Sequence, residues 1–101
     1  MIHVIASIHI HPGKKAEFIK IFKSIIPDVH REQGCVAYAP TVDVPTGLEP
    51  QQLDADVVTI IEQWETLEDL RAHLIAPHML AYRPKVADLV SNVSLRILTE
   101  A

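Results

Sequence analysis

Apolar residues recur every two residues in some segments of this chain, as in a strand, and about every 3.6 residues in others, as in a helix. The order of these segments is the feature that most restricts the fold. Residues 2–10 alternate and predict a strand, which a proline–glycine pair ends. Residues 14–33 follow the helical repeat and predict a helix with one broad apolar side. Within it, Pro27 removes one hydrogen bond and predicts a kink, and Gly34 predicts the helix end.

A strand, a long loop and another strand are predicted next. Residues 35–42 read as a strand at a sheet edge, because Pro40 cannot donate to a ladder. Residues 43–56 contain two prolines and a glycine and few apolar side chains, which predicts a loop that is mobile or lies over a pocket or a partner subunit. Residues 57–65 are β-branched and apolar, and they predict the third strand.

The last third of the chain predicts a broken helix and a final strand. Thr66 suits a helix N-cap, with acidic residues in the first turn behind it. Pro77 suits a first helical position, so a second helical segment is predicted there, and Pro84 predicts a kink or a restart. Residues 93–99 predict the fourth strand.

This order of elements favours an α+β fold of ferredoxin-like βαββαβ topology, with a four-stranded antiparallel sheet and the first and third strands at its centre. Helices on one side of such a sheet leave its other face open. That face offers Ile5 on the first strand and apolar residues on the third, in either of two registers. We therefore predict a homodimer that is built through the sheet faces.

Composition excludes several classes of protein. The 101 residues predict one domain, residues 1–101, and the net charge of -4 argues against unaided nucleic-acid binding. No apolar run approaches the length of a membrane helix, which predicts no membrane insertion, and the N-terminus lacks the features of a signal peptide. A single cysteine cannot form an internal disulfide, which favours the reducing cytoplasm.

The stretch from the third strand to Pro77 concentrates the residues that are capable of chemistry. Trp64, the only tryptophan, shares a strand face with Glu62. The pair is either a core anchor with a strand-end carboxylate, or a surface that stacks on a flat aromatic ligand with Glu62 at the pocket rim. His73 borders the apolar side of its helix, and His78 follows a helix-starting proline. His73 is either a partly buried histidine bonded to the backbone or a general base, and His78 is either a surface histidine at a turn or a neutral proton acceptor.

Other candidates are weaker. Tyr38 and Tyr82 are packing residues or phenols that hold a ligand oxygen. Cys35 has no partner motif that would make it a nucleophile, so a packed thiol is expected. His73 and His78 lie five residues apart across a predicted helix break, which disfavours a metal site. Motifs for nucleotides, flavins and Ser-His-Asp chemistry are absent.

Five short motifs, in this order and spacing, resemble the antibiotic biosynthesis monooxygenase family over nearly the whole chain. They are Pro12-Gly13-Lys14, Gly34-Cys35-x-x-Tyr38, Glu62-x-Trp64, Leu70-x-x-His73 and Pro77-His78. The resemblance implies a dimeric α+β barrel and a monooxygenase that oxidises a quinol or related polycyclic aromatic with dioxygen, without cofactor or metal. It further implies a ligand between sheet and helices, with His73 or His78 as base and with Trp64, Tyr38, Glu62, Met79 and Tyr82 as substrate contacts.

Three other functions are open at this point. A haem-binding or haem-degrading branch of the superfamily carries an asparagine in its first strand, where this chain has Ala6 and Ser7. An isomerase of small phosphorylated sugars would need clustered phosphate donors, and the arginines are dispersed. A non-catalytic dimeric domain that holds an apolar ligand would use the same fold.

Overall fold

The computed structural model describes residues 1–101 and contains one four-stranded sheet and three helices. The strands are β1 (Ile2–Ile10), β2 (Cys35–Thr41), β3 (Val57–Trp64) and β4 (Val90–Leu98). The helices are α1 (Lys15–His30), α2 (Leu67–Leu74) and α3 (Pro77–Val86). The strands lie in the order β2-β3-β1-β4, and all neighbours are antiparallel. The predicted ferredoxin-like α+β topology is therefore confirmed, with β1 and β3 at the centre and β2 at an edge.

The core lies between the sheet and the helices, and strand alternation decides which residues enter it. On β1, Val4, Ala6 and Ile10 are buried, while on β3 the buried apolar residues are Val58, Ile60 and Trp64. The apolar stripe of α1 packs onto this face through Phe18, Phe22, Ile25 and Val29. Glu62 falls in the same register as Ile60 and Trp64, so the alternation carries a carboxyl group into the core.

The opposite face of the sheet is mixed in character. Ile5 pairs with Ile61 at its centre, and Ser7 pairs with Thr59. Of the two registers that the sequence left open, the structure therefore has the one that turns Thr59 and Ile61 away from the helices. Ile61 is exposed.

A second apolar surface lies on β4, on the side of the sheet that carries the helices. Val93, Leu95 and Ile97 pair with the inward-facing residues of β1, yet each is about half exposed, at 50%, 54% and 49%. No helix covers them. β4 also begins at Val90, three residues before the predicted start, because Val90 and Asn92 pair with the end of β1 despite the polar character of that segment.

Both internal prolines are accommodated within helices. α1 runs through Pro27 and α3 runs through Pro84, so each proline costs one hydrogen bond without ending its helix. Thr66 caps α2 as predicted, since its hydroxyl oxygen accepts from the Asp69 backbone N–H at 3.1 Å. None of the helices combines the length and the apolar character that spanning a lipid bilayer would need.

The loop between β2 and β3 is almost entirely exposed and holds itself together through its own side chains. Asp43 accepts from the backbone N–H of Asp54 at 2.7 Å, and Gln51 bonds to Thr46. It does not line the main cavity described below. Within one chain the loop therefore does not lie against the main cavity, while its mobility and a position over a partner subunit stay predictions.

Gly34 joins the end of α1 to the sheet where the chain turns sharply. Its φ is +77°, and a Cβ placed there would lie 2.0 Å from Oδ2 of Asp69. Gly13 has a similar φ of +82° with open space around it. We expect Gly34→Ala to lower the free energy of unfolding by about 1 kcal/mol more than Gly13→Ala, because both share the cost of a positive φ and only Gly34 adds an overpacked contact. Urea denaturation of the two variants checks this, and equal losses would contradict it.

Candidate active site

A cavity of about 480 Å³ lies between the sheet and helices α1 and α3 and opens along β4. Its volume falls in the range of pockets that hold small organic ligands. The wall is mainly aliphatic and aromatic, and it includes Phe18, Phe22 and Met79. Only Glu62, His73 and Arg83 contribute charged or readily titrated groups to it. The chemistry of the cavity therefore depends on very few side chains.

His73 is held by a carboxylate from the turn after α1. Its Nδ1 lies 2.8 Å from Oε2 of Glu32, and Nε2 of His78 lies 2.7 Å from the same oxygen. A carboxylate only accepts, so Nδ1 of His73 carries a proton and Nε2 of the neutral ring is its basic nitrogen. This is the arrangement of an oriented general base, in which a third group fixes the ring and its tautomer.

Burial keeps His73 in that neutral form. The side chain is 3% exposed, and this desolvation lowers the pKa of His73 below its usual value although the hydrogen bond and charge of Glu32 act to raise it. The nearby charges of His78 and Arg83 lower it further. At neutral pH the imidazole is therefore ready to accept a proton.

Glu62 is the second unusual group in the cavity wall. It is 6% exposed, and Nε1 of Trp64 donates to its Oε1 at 3.0 Å. Burial raises the pKa of Glu62 to about 7, with a smaller contribution from the charge of Glu32, while the bond from Trp64 opposes the rise. Near neutral pH the carboxyl group is thus divided between its acid and its carboxylate form.

Trp64 connects the two groups without reaching the cavity. Its ring centroid lies 4.7 Å from that of His73, at an interplanar angle of 36°, and its N–H bonds to Glu62. The indole is completely buried and does not line the cavity. The expectation that Trp64 lines the pocket is therefore corrected, because β3 ends at Trp64 and His73 of α2 packs over the indole. Of the two interpretations of this residue, the geometry is that of the core anchor.

The other predicted site residues also include some that line the cavity and one that does not. Tyr38, Met79 and Tyr82 line the cavity together with Glu62 and His73. His78 does not line it and contacts the site only through Glu32. Burial raises the pKa of both tyrosines well above its usual range, so each phenol keeps its proton and is available to donate a hydrogen bond to a ligand.

Cys35 lies near this cluster and is not a nucleophile. Burial raises the pKa of its thiol, and the negative charges of Glu32 and Glu62 raise it further. The group therefore stays a thiol at neutral pH, as expected for a packed cysteine.

Glu32 is the functional residue that the sequence did not reveal. It follows a solvated helix end, where an acidic side chain normally faces water, and its partners lie 41 and 46 residues further along the chain. Only its position next to the Gly34-Cys35 motif, at the sharp turn that leads into β2, hinted at a fixed geometry.

The indole hydrogen bond predicts a measurable coupling to Glu62. In Trp64→Phe the carboxylate loses the donor that favours its charged form, so the pKa of Glu62 is expected to rise above its value of about 7. Titration of the Glu62 carboxyl carbon by NMR checks this. Leu70→Ala, a change in the same core without a polar contact, is the control, and an unchanged or lower pKa in Trp64→Phe would contradict the prediction.

Comparison with known proteins assigns the class. A model of the family described as antibiotic biosynthesis monooxygenase matches residues 1–85. The chain belongs to this family, as its motifs suggested.

Similar sequences from bacteria carry the name of one kind of enzyme. The chain is 41% identical over 100 residues to the protein named "Probable quinol monooxygenase YgiN" of Escherichia coli K12, covering 97% of this chain and 96% of that protein. The protein of the same name from Shigella flexneri matches equally.

Solved structures agree on the fold. A conserved protein from Methanosarcina mazei superposes with a TM-score of 0.83 at 24% identity, covering 99% of this chain and 92% of that one. A protein from Pseudomonas aeruginosa gives 0.81 at 23% identity, covering 99% and 93%.

Proposed function

We propose that this protein is a cofactor-independent monooxygenase that oxidises a quinol, or a related polycyclic aromatic, with dioxygen. One observation carries the proposal: a buried, neutral histidine, oriented by Glu32, stands in the wall of an apolar cavity of about 480 Å³. The family and the name of the 41% identical relative support the substrate class.

The substrate itself supplies the electrons in this reaction. A quinolate anion is electron-rich enough to pass one electron to dioxygen, after which the two radicals combine to form a ring-bound peroxide. The net change is quinol plus dioxygen to hydroxyquinone plus water, which balances atoms and electrons. The protein must then bind the ring, take the phenolic proton and exclude water.

The side chains of the site suit these tasks. His73 takes the phenolic proton at Nε2, while Glu32 stabilises the imidazolium that results. Tyr38 and Tyr82 line the cavity as protonated phenols and donate to the oxygens of the ligand. Met79 contributes apolar surface against the ring. His78 and Trp64 act as positioning residues, the first through Glu32 and the second behind His73 and Glu62.

Oxygen uptake tests the proposal directly. We expect the protein to accelerate dioxygen consumption by reduced 1,4-naphthoquinone well above the protein-free rate and to yield the hydroxyquinone. Reactions under ¹⁸O₂ with mass analysis of the product identify the inserted oxygen. Binding of the quinone with no acceleration would instead support a non-catalytic ligand-binding domain.

We also propose that the protein works as a homodimer that forms a dimeric α+β barrel. Its support is the apolar surface that one chain leaves open, namely Ile61 on one face of the sheet and the half-exposed Val93, Leu95 and Ile97 on the other. We expect a dimer mass by light scattering at micromolar concentration, and a monomer mass would overturn this part. A cytoplasmic location is proposed with it, supported by the unpaired thiol of Cys35.

A further inference from the structure

Glu62 differs from an ordinary buried carboxylate because it has only one partner. It takes part in none of the ion pairs of the chain, and its single side-chain hydrogen bond is the one from Trp64 to Oε1. Every fully buried side-chain oxygen of the protein has a partner, so the unbonded Oε2 is not fully buried. Because Glu62 lines the cavity, Oε2 faces the place where the ligand would lie.

No cation pairs with Glu62: Arg83, the one arginine of the cavity wall, donates to the backbone carbonyl of Leu74 instead, and it does not contribute to the raised pKa of Glu62. The groups that face Glu62 are the phenol of Tyr38, which pairs with it across the strands, the thiol of Cys35, the carboxylate of Glu32 and the indole of Trp64. Glu32 opposes ionisation of Glu62, while the hydrogen bonds of Glu32 go to His73 and His78. The two glutamates therefore have different roles: Glu32 accepts hydrogen bonds from the histidines, and Glu62 has a carboxyl oxygen available to a ligand in the cavity.

We propose that Glu62 is the general acid of the reaction, which delivers a proton from Oε2 to the peroxide that forms on the substrate ring. The assignment rests on the monooxygenase function proposed above. Its geometric basis is that Trp64 contacts both titrating groups of the wall, the base His73 and the acid Glu62, and so fixes them relative to each other. Paired groups whose environments separate their protonation states are the usual sign of an acid and a base that act together.

The steps balance with these two groups alone. His73 takes the phenolic proton, and two electrons of the ring reduce dioxygen as the ring C–O bond forms. Glu62 then protonates the outer peroxide oxygen. As the O–O bond breaks, the Glu62 carboxylate takes the hydrogen of the ring carbon, whose C–H electron pair becomes the second bond of a carbonyl. The departing hydroxide receives the proton of the His73 imidazolium and leaves as water, so that both residues return to their starting forms.

This role predicts what happens when the acid is missing. A ring-bound peroxide that receives no proton from Glu62 is eliminated instead. The remaining hydroxyl of the ring gives up its proton and becomes a carbonyl as the bond between ring carbon and peroxide breaks, and the His73 imidazolium supplies the second proton, giving the quinone and hydrogen peroxide. Glu62→Gln keeps the size of the side chain and an oxygen that accepts from Trp64, but it has no acidic proton to transfer. The product formed from dioxygen, water or hydrogen peroxide, therefore distinguishes the loss of a general acid from a change in the shape of the cavity.

The experiment measures three quantities with reduced 1,4-naphthoquinone after subtraction of the protein-free rate: dioxygen uptake, hydroxyquinone and hydrogen peroxide. We expect Glu62→Gln to lower hydroxyquinone formation about 100-fold, a typical loss for general acid–base catalysis, and to release hydrogen peroxide as the main reduced product. Glu65→Gln, at an exposed position just beyond β3, is the matched control and should behave as the wild type. Calorimetric binding of the oxidised quinone shows whether the cavity of the variant is intact.

The wild type provides a second measurement that needs no variant. Glu62 has a pKa of about 7, so its acid form disappears as the pH rises through that value. The fraction of dioxygen recovered as hydrogen peroxide should rise across the same range. Hydroxyquinone formation by Glu62→Gln within twofold of the wild type, or a peroxide fraction in the wild type that does not change with pH, would overturn the role of Glu62 while leaving the monooxygenase intact. A wild type that forms no hydroxyquinone at all would overturn both.

Discussion

His73→Ala is expected to lower turnover of a quinol by about 100-fold or more, while the affinity for the oxidised ligand changes by only about threefold. The imidazole is the oriented base of the site, so its loss removes proton transfer and leaves the apolar wall that binds the ring. His78 still bonds to Glu32 in this variant, which avoids an unpaired buried carboxylate. Steady-state oxygen uptake and calorimetric binding measure the two effects separately.

Two further variants make this result interpretable. His78→Ala should reduce turnover by about tenfold, a smaller loss, because His78 acts on the base only through Glu32. His11→Ala, at an exposed position outside the cavity, should change neither quantity. If His73→Ala stays folded and keeps the wild-type turnover, the base is not His73, and Glu62 or solvent must take the proton.

Glu62→Gln is expected to stabilise the protein at pH 8 by about 3 kcal/mol. The pKa of Glu62 rises from 4.5 in the unfolded chain to about 7 in the folded one. Between these values the folded state binds more protons than the unfolded state, so stability falls as the pH rises. The contribution of Glu62 is therefore fully present below pH 4.5 and is lost as the pH passes 7.

Urea denaturation at pH 4.5 and at pH 8 checks this prediction. Wild type and Glu62→Gln should be similar in stability at the lower pH and differ at the higher one. Glu65→Gln should follow the wild type at both, since that side chain is exposed. A Glu62→Gln variant that is equally stable to the wild type at pH 8 would mean that the buried carboxyl ionises without cost. Burial would then not raise the pKa of Glu62, and it would no longer explain why this carboxyl group keeps a proton near neutral pH.

Most of the fold could be predicted because the spacing of apolar residues within each segment determines whether that segment forms a strand or a helix. The alternation of residues 2–10, the apolar stripe of α1 and the Thr66 cap each specify one element, and the order of the elements specifies the topology. The start of β4 could not be predicted in the same way. Val90 and Asn92 join the sheet because β1 offers them backbone partners, which is a tertiary effect.

The candidate site was predictable in its residue types and less so in its geometry. His73 and Glu62 stood out because a titrating group on an apolar face is unusual. Glu32 did not, since a contact over 41 residues leaves no local pattern. Trp64 was easy to single out as a residue that can stack on a ligand, but its role was not predictable. The indole is buried and contacts His73 and Glu62 instead of the cavity.

The burial of Trp64 also has an optical consequence. It is the only tryptophan of the chain, so all indole fluorescence of the protein originates at one point, in contact with both the Glu62 carboxyl group and the His73 ring. Protonation of either neighbour changes the electric field on the indole and its quenching. Emission recorded against pH in the unmodified protein thus follows the ionisation of the proposed acid and base. A ligand that enters the cavity contacts His73 and Glu62, and it changes the emission of Trp64 through these two neighbours.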